Sequence, residues 1–272
     1  MVTRQRCAFA LTLGLLGGCG LIVDTNGLSG GGPDTASEAE AGTPNVEPPA
    51  PDAQADSTFD ASVPYCASRT NALFCDDFDR TTPLAALWDS TTLPGDIGMI
   101  ASSYYDSAPS SLALVADAAA APLAYLSLRK VVPVGSSAVT FRFHFRTDRA
   151  GNGPSVIQFK YDSGFGYYAY LGETMNVRVG GPVPETNVGN ALIGVNRWRL
   201  IEFLLEPPAV TGAGYGRLTV KVDGAEAIAP LALDPAANAY FTTNAAIDVG
   251  ILYLPSGSWS GWLDDVEIES KP

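Results

Sequence analysis

After residue 63 the sequence predicts an all-β domain, an antiparallel sandwich or barrel. Short runs in which apolar and polar residues alternate follow one another, with Gly, Pro, Asn and Asp between them. They are DIGMIAS, SSLALVA, LAYLSLRKVV, AVTFRFHFRT, SVIQFKYD, GYYAYLG, MNVRVG, RWRLIEFLLE, GRLTVKVDG, IDVGILYL and GWLDDVEIE. A period of two at this density, with no convincing helical stretch, is typical of antiparallel sheets. Alternation within single strands indicates one face on a core and one in water.

Residues 1–18 have the features of an export signal. Arg4 and Arg6 precede the apolar run CAFALTLGLLGG, which is too short to span a membrane. The run ends in Leu16-Gly17-Gly18-Cys19, which resembles the lipobox of bacterial lipoproteins. The resemblance implies cleavage before Cys19, lipidation of this cysteine and, since Gly20 is not an aspartate, the outer membrane or cell surface. A secretory signal with a chance cysteine is the alternative.

Residues 19–62 are predicted to be a disordered tether. The segment is rich in Gly, Pro, Ala and Ser, and carries eight carboxylates without any Lys or Arg. Such a composition buries too little apolar surface to offset the entropy lost on ordering. The globular domain therefore comprises residues 63–272, a length sufficient for one sandwich with a substantial core.

The charge balance argues against a nucleic-acid partner. The whole chain has a formal net charge of −13. Without the linker carboxylates and the two arginines of the signal, 21 acidic residues face 14 basic ones, a net charge of −7. A phosphate-binding domain usually presents a basic field instead.

Cysteine usage predicts one local disulfide. Cys7 belongs to the signal and Cys19 is the lipidation site, so Cys66 and Cys75 remain. Two cysteines nine positions apart in an exported chain indicate a bond between them. A zinc site is disfavoured, because only one histidine is available to complete a ligand set.

Several motifs resemble the concanavalin A-like lectin/glucanase jelly rolls, including laminin-G-like domains. They are FCDDFD at 74–79, the tryptophan of LWD, RWRLIEF followed by LTVKVDGAE, and the terminal GWLDDVEIE. The resemblance covers residues 70–270 and implies a two-sheet antiparallel jelly-roll sandwich. It leaves function open, because this fold carries lectins, hydrolases, lyases and adhesion modules.

The sequence supplies no complete catalytic motif. The resemblance to glucanases would imply a Glu-x-Asp-x-x-Glu motif, which supplies the paired carboxylates of a retaining mechanism. This motif does not occur in the sequence. No Gly-x-Ser-x-Gly elbow accompanies His144. The Gln-x-His of jelly-roll polysaccharide lyases appears as Gln158-Phe159-Lys160. We therefore assign no catalytic residue, and a lyase acting on a uronate-containing glycan stays an alternative.

Alternation predicts the solvent-facing residues of four successive strands. As candidate ligand-binding residues these are Arg142, His144 and Arg146, then Gln158 and Lys160, then Tyr168 and Tyr170, then Asn176 and Arg178. The opposite parity supplies a core set of Phe141, Phe143, Phe145, Ile157, Phe159, Tyr161, Ala169, Leu171, Val177 and Val179. Since consecutive strands are often neighbours, we expect one polar patch.

Two interpretations of this patch compete. Any half-exposed strand needs polar residues on its wet face. Four cations on one sheet of an acidic chain instead favour an anionic or carbohydrate ligand, and the neighbouring tyrosines can stack on sugar rings. Our hypothesis is non-catalytic glycan binding; a surface module for structure or adhesion, without a sugar ligand, is the rival.

Aspartates near both ends of the domain are candidate calcium ligands. Asp76 shares parity with Phe74 and Phe78, and Asp264 shares parity with Val266. One interpretation is a structural Ca²⁺ bound by oxygen atoms from both ends. The other is that the carboxylates accept hydrogen bonds from loop amides. No other cofactor is expected.

The sequence as a whole predicts a cell-envelope lipoprotein that presents a jelly-roll domain. Its expected partners are the membrane, through the lipid anchor at Cys19, and a glycan. We expect the domain to be a monomer.

Overall fold

Strands follow one another along the described chain, as the alternation predicts. The computed structural model describes residues 64–92, 98–116, 126–134, 137–181, 185–207, 216–233, 244–253 and 258–271, which belong to one compact unit, Gln54–Pro272. Two short 3₁₀ helices cover Tyr65–Ser68 and Leu84–Ala86. The strands are β1 (Ala72–Asp76), β2 (Ser90–Thr92), β3 (Gly98–Ala101), β4 (Ser111–Ala116), β5 (Leu126–Pro133), β6 (Ala138–Thr147), β7 (Ser155–Tyr161), β8 (Gly166–Leu171), β9 (Thr174–Gly180), β10 (Thr186–Leu192), β11 (Arg199–Glu206), β12 (Arg217–Val222), β13 (Ala225–Ala232), β14 (Asn244–Tyr253) and β15 (Trp259–Lys271).

The strands form two antiparallel sheets. One sheet has eight strands in the order β13-β12-β11-β6-β15-β4-β3, and β1 also pairs with the long strand β15. The other has seven strands in the order β10-β9-β8-β7-β14-β5-β2. This is the predicted two-sheet jelly-roll sandwich.

The core is built from the parity that the sequence predicts. Phe141, Phe143 and Phe203 stack on one another from the eight-stranded sheet. Phe159, Ala169 and the other predicted core residues of the seven-stranded sheet are buried in the same apolar cluster. Fully burying one such large apolar side chain stabilises the fold by roughly 1.5–3 kcal/mol.

The expectation of one continuous polar patch is wrong. Strand β6, which carries Arg142, His144 and Arg146, belongs to the eight-stranded sheet, whereas β7, β8 and β9 belong to the other. The chain changes sheets between β6 and β7. Each strand turns its apolar side chains toward the shared core. The polar side chains of the two groups therefore lie on the outer faces of two different sheets.

A bulge in β15 breaks the parity that Asp264 and Val266 share in the sequence, so the two side chains do not point to the same face. The register with β6 shifts between Asp264 and Glu267, and Asp265 has a φ of 52°. Leu263 and Val266 consequently both enter the core, while Trp262 packs against the ring of Tyr104 at 4.6 Å between centroids. A bulge adds one residue and reverses the alternation beyond it.

A disulfide ties the start of the domain to β1, as predicted. Cys66 and Cys75 are bonded, with their Cα atoms 5.6 Å apart. Within the described residues no helix is long and apolar enough to cross a membrane. The predicted signal peptide of residues 1–18, the lipidation site Cys19 and the linker of residues 19–62 lie outside the described residues.

Candidate functional site

Arg142 is surrounded by carboxylates on the eight-stranded sheet. Its Nη2 donates a hydrogen bond of 3.0 Å to Glu269. Its Nη1 lies 3.4 Å from Glu267, and its Nε lies 3.8 Å from Glu202 on the neighbouring strand β11. The guanidinium is therefore occupied by partners within the protein.

His144 is enclosed and not presented to solvent. It is 8% exposed, its Nδ1 lies 3.0 Å from Asp265 Oδ2 and 3.4 Å from Asp106 Oδ2, and Tyr65 meets it edge-on. Burial disfavours the charged ring, but the hydrogen bond with Asp265 and the charge of Asp106 outweigh burial, so the pKa of His144 is raised. Both carboxylates approach the same ring nitrogen, Nδ1.

Arg146 is likewise engaged by neighbouring groups. Its Nη1 donates a hydrogen bond of 2.7 Å to the carbonyl oxygen of Asn196. Its guanidinium lies 4.5 Å from the centre of the Tyr104 ring. The row of cations that alternates with the phenylalanines of β6 thus holds loops and neighbouring strands to the sheet.

The group formed by Asp106, His144 and Asp265 could hold a metal ion. One potential ligand atom from each residue lies within 4.8 Å of the others. An imidazole nitrogen and two carboxylates are a mixed set that also suits zinc or manganese, whereas calcium prefers six to eight oxygen atoms.

Asp76 and Asp264, the predicted calcium ligands, instead belong to separate hydrogen-bond networks. Asp76 accepts hydrogen bonds from the amide of Phe78 (3.0 Å), from Trp88 Nε1 (2.6 Å) and from Arg80. Asp264 accepts hydrogen bonds from the backbone amides of residues 106 and 107, at 2.9 and 3.1 Å, and from that of residue 265. These contacts agree with the second interpretation of the two buried carboxylates, that they accept hydrogen bonds from backbone amides and do not bind calcium together.

The outer face of the seven-stranded sheet brings the other predicted residues together. Gln158, Tyr168 and Arg178 are cross-strand partners on β7, β8 and β9. The register extends through β14 and β5 on one side and β10 on the other. We call the result the cross-strand row; in spatial order it consists of Arg129, Asp248, Gln158, Tyr168, Arg178 and Asn187.

Three side chains of this face turn their polar groups to solvent. Gln158, Lys160 and Tyr168 are half-buried, and within the described parts of the chain no hydrogen bond or ion pair satisfies their amide, ammonium and phenol groups. Directly opposite residues have Cβ atoms about 4.5–5.5 Å apart. The face therefore presents several hydrogen-bonding groups at distances that one sugar ring can span.

One end of the row is braced by internal contacts. Arg178 donates hydrogen bonds to Asn176 (2.9 Å) and Glu185 (2.8 Å) and stacks on Tyr170, 4.8 Å from its ring centre. Burial and the charge of Glu185 raise the pKa of Tyr170, so its phenol stays protonated. Asn176 also donates a hydrogen bond of 3.1 Å to Asn187.

Sequence reasoning missed Arg129 and Asp248, the two row members on β5 and β14. Asp248 is 7% exposed on the outer face, 3.7 Å from Arg129 Nη1. Burial raises the pKa of its carboxyl group, against the opposing charges of Arg129 and Lys160. The available signal was a lone carboxylate inside the apolar run IDVGI.

The fold is similar to that of several solved proteins. An endo-β-1,4-glucuronan lyase from the fungus Trichoderma reesei is 15% identical with a TM-score of 0.52, over 74% of this chain and 96% of that one. A cellulose-induced protein is 12% identical with a TM-score of 0.53, over 73% and 97%. The receptor-binding domain of botulinum neurotoxin type G is 10% identical with a TM-score of 0.50, over 74% of this chain but 48% of that one.

At these identities the likenesses establish the jelly-roll fold. No protein-family model matches the sequence, and no curated protein matches it.

Proposed function

We propose that this domain binds a glycan, without catalysis, on the outer face of its seven-stranded sheet. The observation that carries the proposal is the cross-strand row, which aligns amide, phenol and charged groups from six adjacent strands. Sugar hydroxyls both donate and accept hydrogen bonds, and such a mixed set of groups complements them. Tyr168 and Tyr170 add apolar ring faces on which a sugar can pack.

The other sheet is a poorer candidate for ligand binding. Arg142, His144 and Arg146 are each held by internal partners. A ligand would have to break these contacts and leave buried carboxylates without partners, which costs several kcal/mol. Binding on the seven-stranded sheet needs no such rearrangement.

A carbohydrate ligand is consistent with the nature of a structural neighbour. One solved protein with the same fold is named for its action on glucuronan. That protein is an enzyme, and fold likeness alone does not transfer an activity. The proposal therefore rests on the residues of the row.

Affinity electrophoresis through gels containing soluble polysaccharides tests the proposal. We expect the wild type to be retarded by at least one polysaccharide, and Lys160→Ala to weaken retardation. Lys221→Ala, the same change on β12 of the eight-stranded sheet, is the matched control and should bind as the wild type does. Retardation by no polysaccharide would favour a structural or adhesion module. Release of unsaturated uronate products, followed by their ultraviolet absorbance, would favour a lyase.

We further propose that the chain is a lipoprotein of the outer membrane or cell surface, anchored at Cys19. Support comes from the Leu16-Gly17-Gly18-Cys19 motif after the apolar run and from the acidic, Pro-rich segment that follows. Cys19→Ser should leave the precursor uncut and release it from the membrane fraction. Absence of palmitate labelling in the wild type would contradict the assignment.

The sequence predicts calcium at Asp76 and Asp264; we propose instead that the Asp106–His144–Asp265 group takes up a divalent cation. Nearby, Asp79 has a buried oxygen atom, Oδ2, without a hydrogen-bond partner among the described residues. Burial first of all, and then the charges of Asp77 and Asp265, raise the pKa of Asp79 to about 6. Calorimetry should show a higher melting temperature with Ca²⁺ or Zn²⁺ than with chelator, because a ligand of the folded state stabilises it. Identical melting temperatures would contradict cation binding.

A further inference from the structure

Asp248 occupies the middle of the outer face of the seven-stranded sheet. It lies on β14 with Arg129 directly opposite on β5 and Gln158 directly opposite on β7. Its neighbours of the same parity on β14 are Ala246 and Gly250, which carry a methyl group and no side chain. Its side chain is 10% exposed, so part of it lies at the surface of the sheet.

Among the described residues, the partners of this carboxylate are distant. Arg129 Nη1 lies 3.7 Å from Oδ2, beyond hydrogen-bond range. The hydroxyl of Ser127 lies 3.5 Å from Oδ1, at the outer limit of a hydrogen bond. A carboxylate with two acceptor oxygens that has lost most of its water needs closer donors than these.

The groups around Asp248 are donors. Arg129 flanks it on one side and Gln158 on the other, and the charge of Lys160 also acts on it. The carboxylate of Asp248, a hydrogen-bond acceptor, thus lies between the donor groups of Arg129 and Gln158. Two neighbouring hydroxyls of a sugar ring complement this pattern, because each can donate to Asp248 while accepting from a flanking side chain.

We propose that Asp248 is the specificity-determining residue of the glycan site and that it selects a neutral sugar unit, bound through two adjacent hydroxyl groups. This inference rests on the proposed glycan-binding function. A uronate carboxylate placed at the same position would meet the negative charge of Asp248 at short range. Like charges that meet without intervening water repel strongly, so an acidic unit is excluded there.

The test compares the full-length wild type with two variants by affinity electrophoresis. The gels contain hydroxyethyl cellulose, xylan or galactomannan as neutral polymers, and alginate or polygalacturonate as acidic ones. Asp248→Asn keeps the size of the side chain but replaces an acceptor oxygen with a donor. Asp162→Asn, at an exposed position in the turn after β7, removes the same charge away from the row and is the matched control.

We expect the wild type to be retarded by at least one neutral polymer. Asp248→Asn should weaken that retardation about 10- to 100-fold, the effect of losing one or two hydrogen bonds to a charged acceptor, while Asp162→Asn should bind as the wild type does. Retardation by acidic polymers alone, or unchanged neutral binding in Asp248→Asn, would overturn the inference and leave the proposed function standing. Retardation by neither class would overturn both.

Discussion

Replacing His144 with alanine should destabilise the domain without affecting glycan binding at the proposed site. The imidazole lies 3.0 Å from Asp265 and 3.4 Å from Asp106, and Asp265 is 1% exposed. Removing it leaves both carboxylates without the ring nitrogen that they approach. Removing one partner from a buried ion pair costs about 3–5 kcal/mol. For a domain of this size that corresponds to a fall in melting temperature of about 6–20 °C.

Calorimetry and affinity electrophoresis on the same samples separate an effect on stability from an effect on polysaccharide binding. His144→Ala should melt much earlier yet bind polysaccharide as the wild type does at a temperature where both are folded. Lys160→Ala should show the reverse, with weaker binding and a change in stability within about 0.5 kcal/mol, as is usual for surface positions. If His144→Ala loses binding while its melting temperature stays unchanged, the ligand site lies on the eight-stranded sheet and our assignment is wrong.

The remaining predictions concern pH and the start of the domain. Because burial raises the pKa of Asp248, binding of a neutral glycan should hold above that raised pKa and fall as the pH drops through it, while Asp248→Asn shows no such dependence by titration calorimetry. For the same reason the folded state binds the proton more tightly than the unfolded one, so Asp248 should favour folding as the pH falls, and Asp248→Asn should melt slightly higher at neutral pH. Asp76→Ala leaves the Trp88 and Arg80 donors without their acceptor and should cost about 3–5 kcal/mol in urea unfolding; an effect under 1 kcal/mol contradicts this. Replacing both Cys66 and Cys75 with serine should cost about 2–3 kcal/mol in the same assay, because the bond closes a short loop; unchanged stability contradicts this.

Alternation predicted which side of β6, β7, β8 and β9 faces the core, and it did so for a simple geometric reason. Successive side chains of a strand point to opposite faces. Phe159 and Ala169 are therefore buried, and Gln158 and Tyr168 are not. The alternation of apolar and polar residues carries no information about which strands pair. The change of sheet between β6 and β7 could therefore not be predicted from it.

The residues that surround His144 could not be predicted from the sequence either. Its partners Asp106 and Asp265 are distant along the chain, and the bulge that places Asp265 depends on a backbone φ of 52° at a non-glycine residue. From sequence, a lone histidine between two arginines on a strand suggests a basic surface. In the fold that strand lies under the Tyr65 turn and the loop that carries Asp106, which converts the same residues into an internal ion-pair network.

The two sheets therefore differ in how far their polar groups are satisfied within the protein. On the eight-stranded sheet, Arg142 and His144 are enclosed by carboxylates at ion-pair distance. On the seven-stranded sheet, the contacts of Asp248 with other described residues are 3.5 and 3.7 Å long, and Lys160 is half-buried. A desolvated carboxylate with distant partners lowers the stability of the folded state, because no close hydrogen bond offsets the cost of its burial. Its position beside Arg129 and Gln158 is explained if a ligand supplies closer hydrogen bonds, so Asp248→Asn should stabilise the fold while it weakens binding.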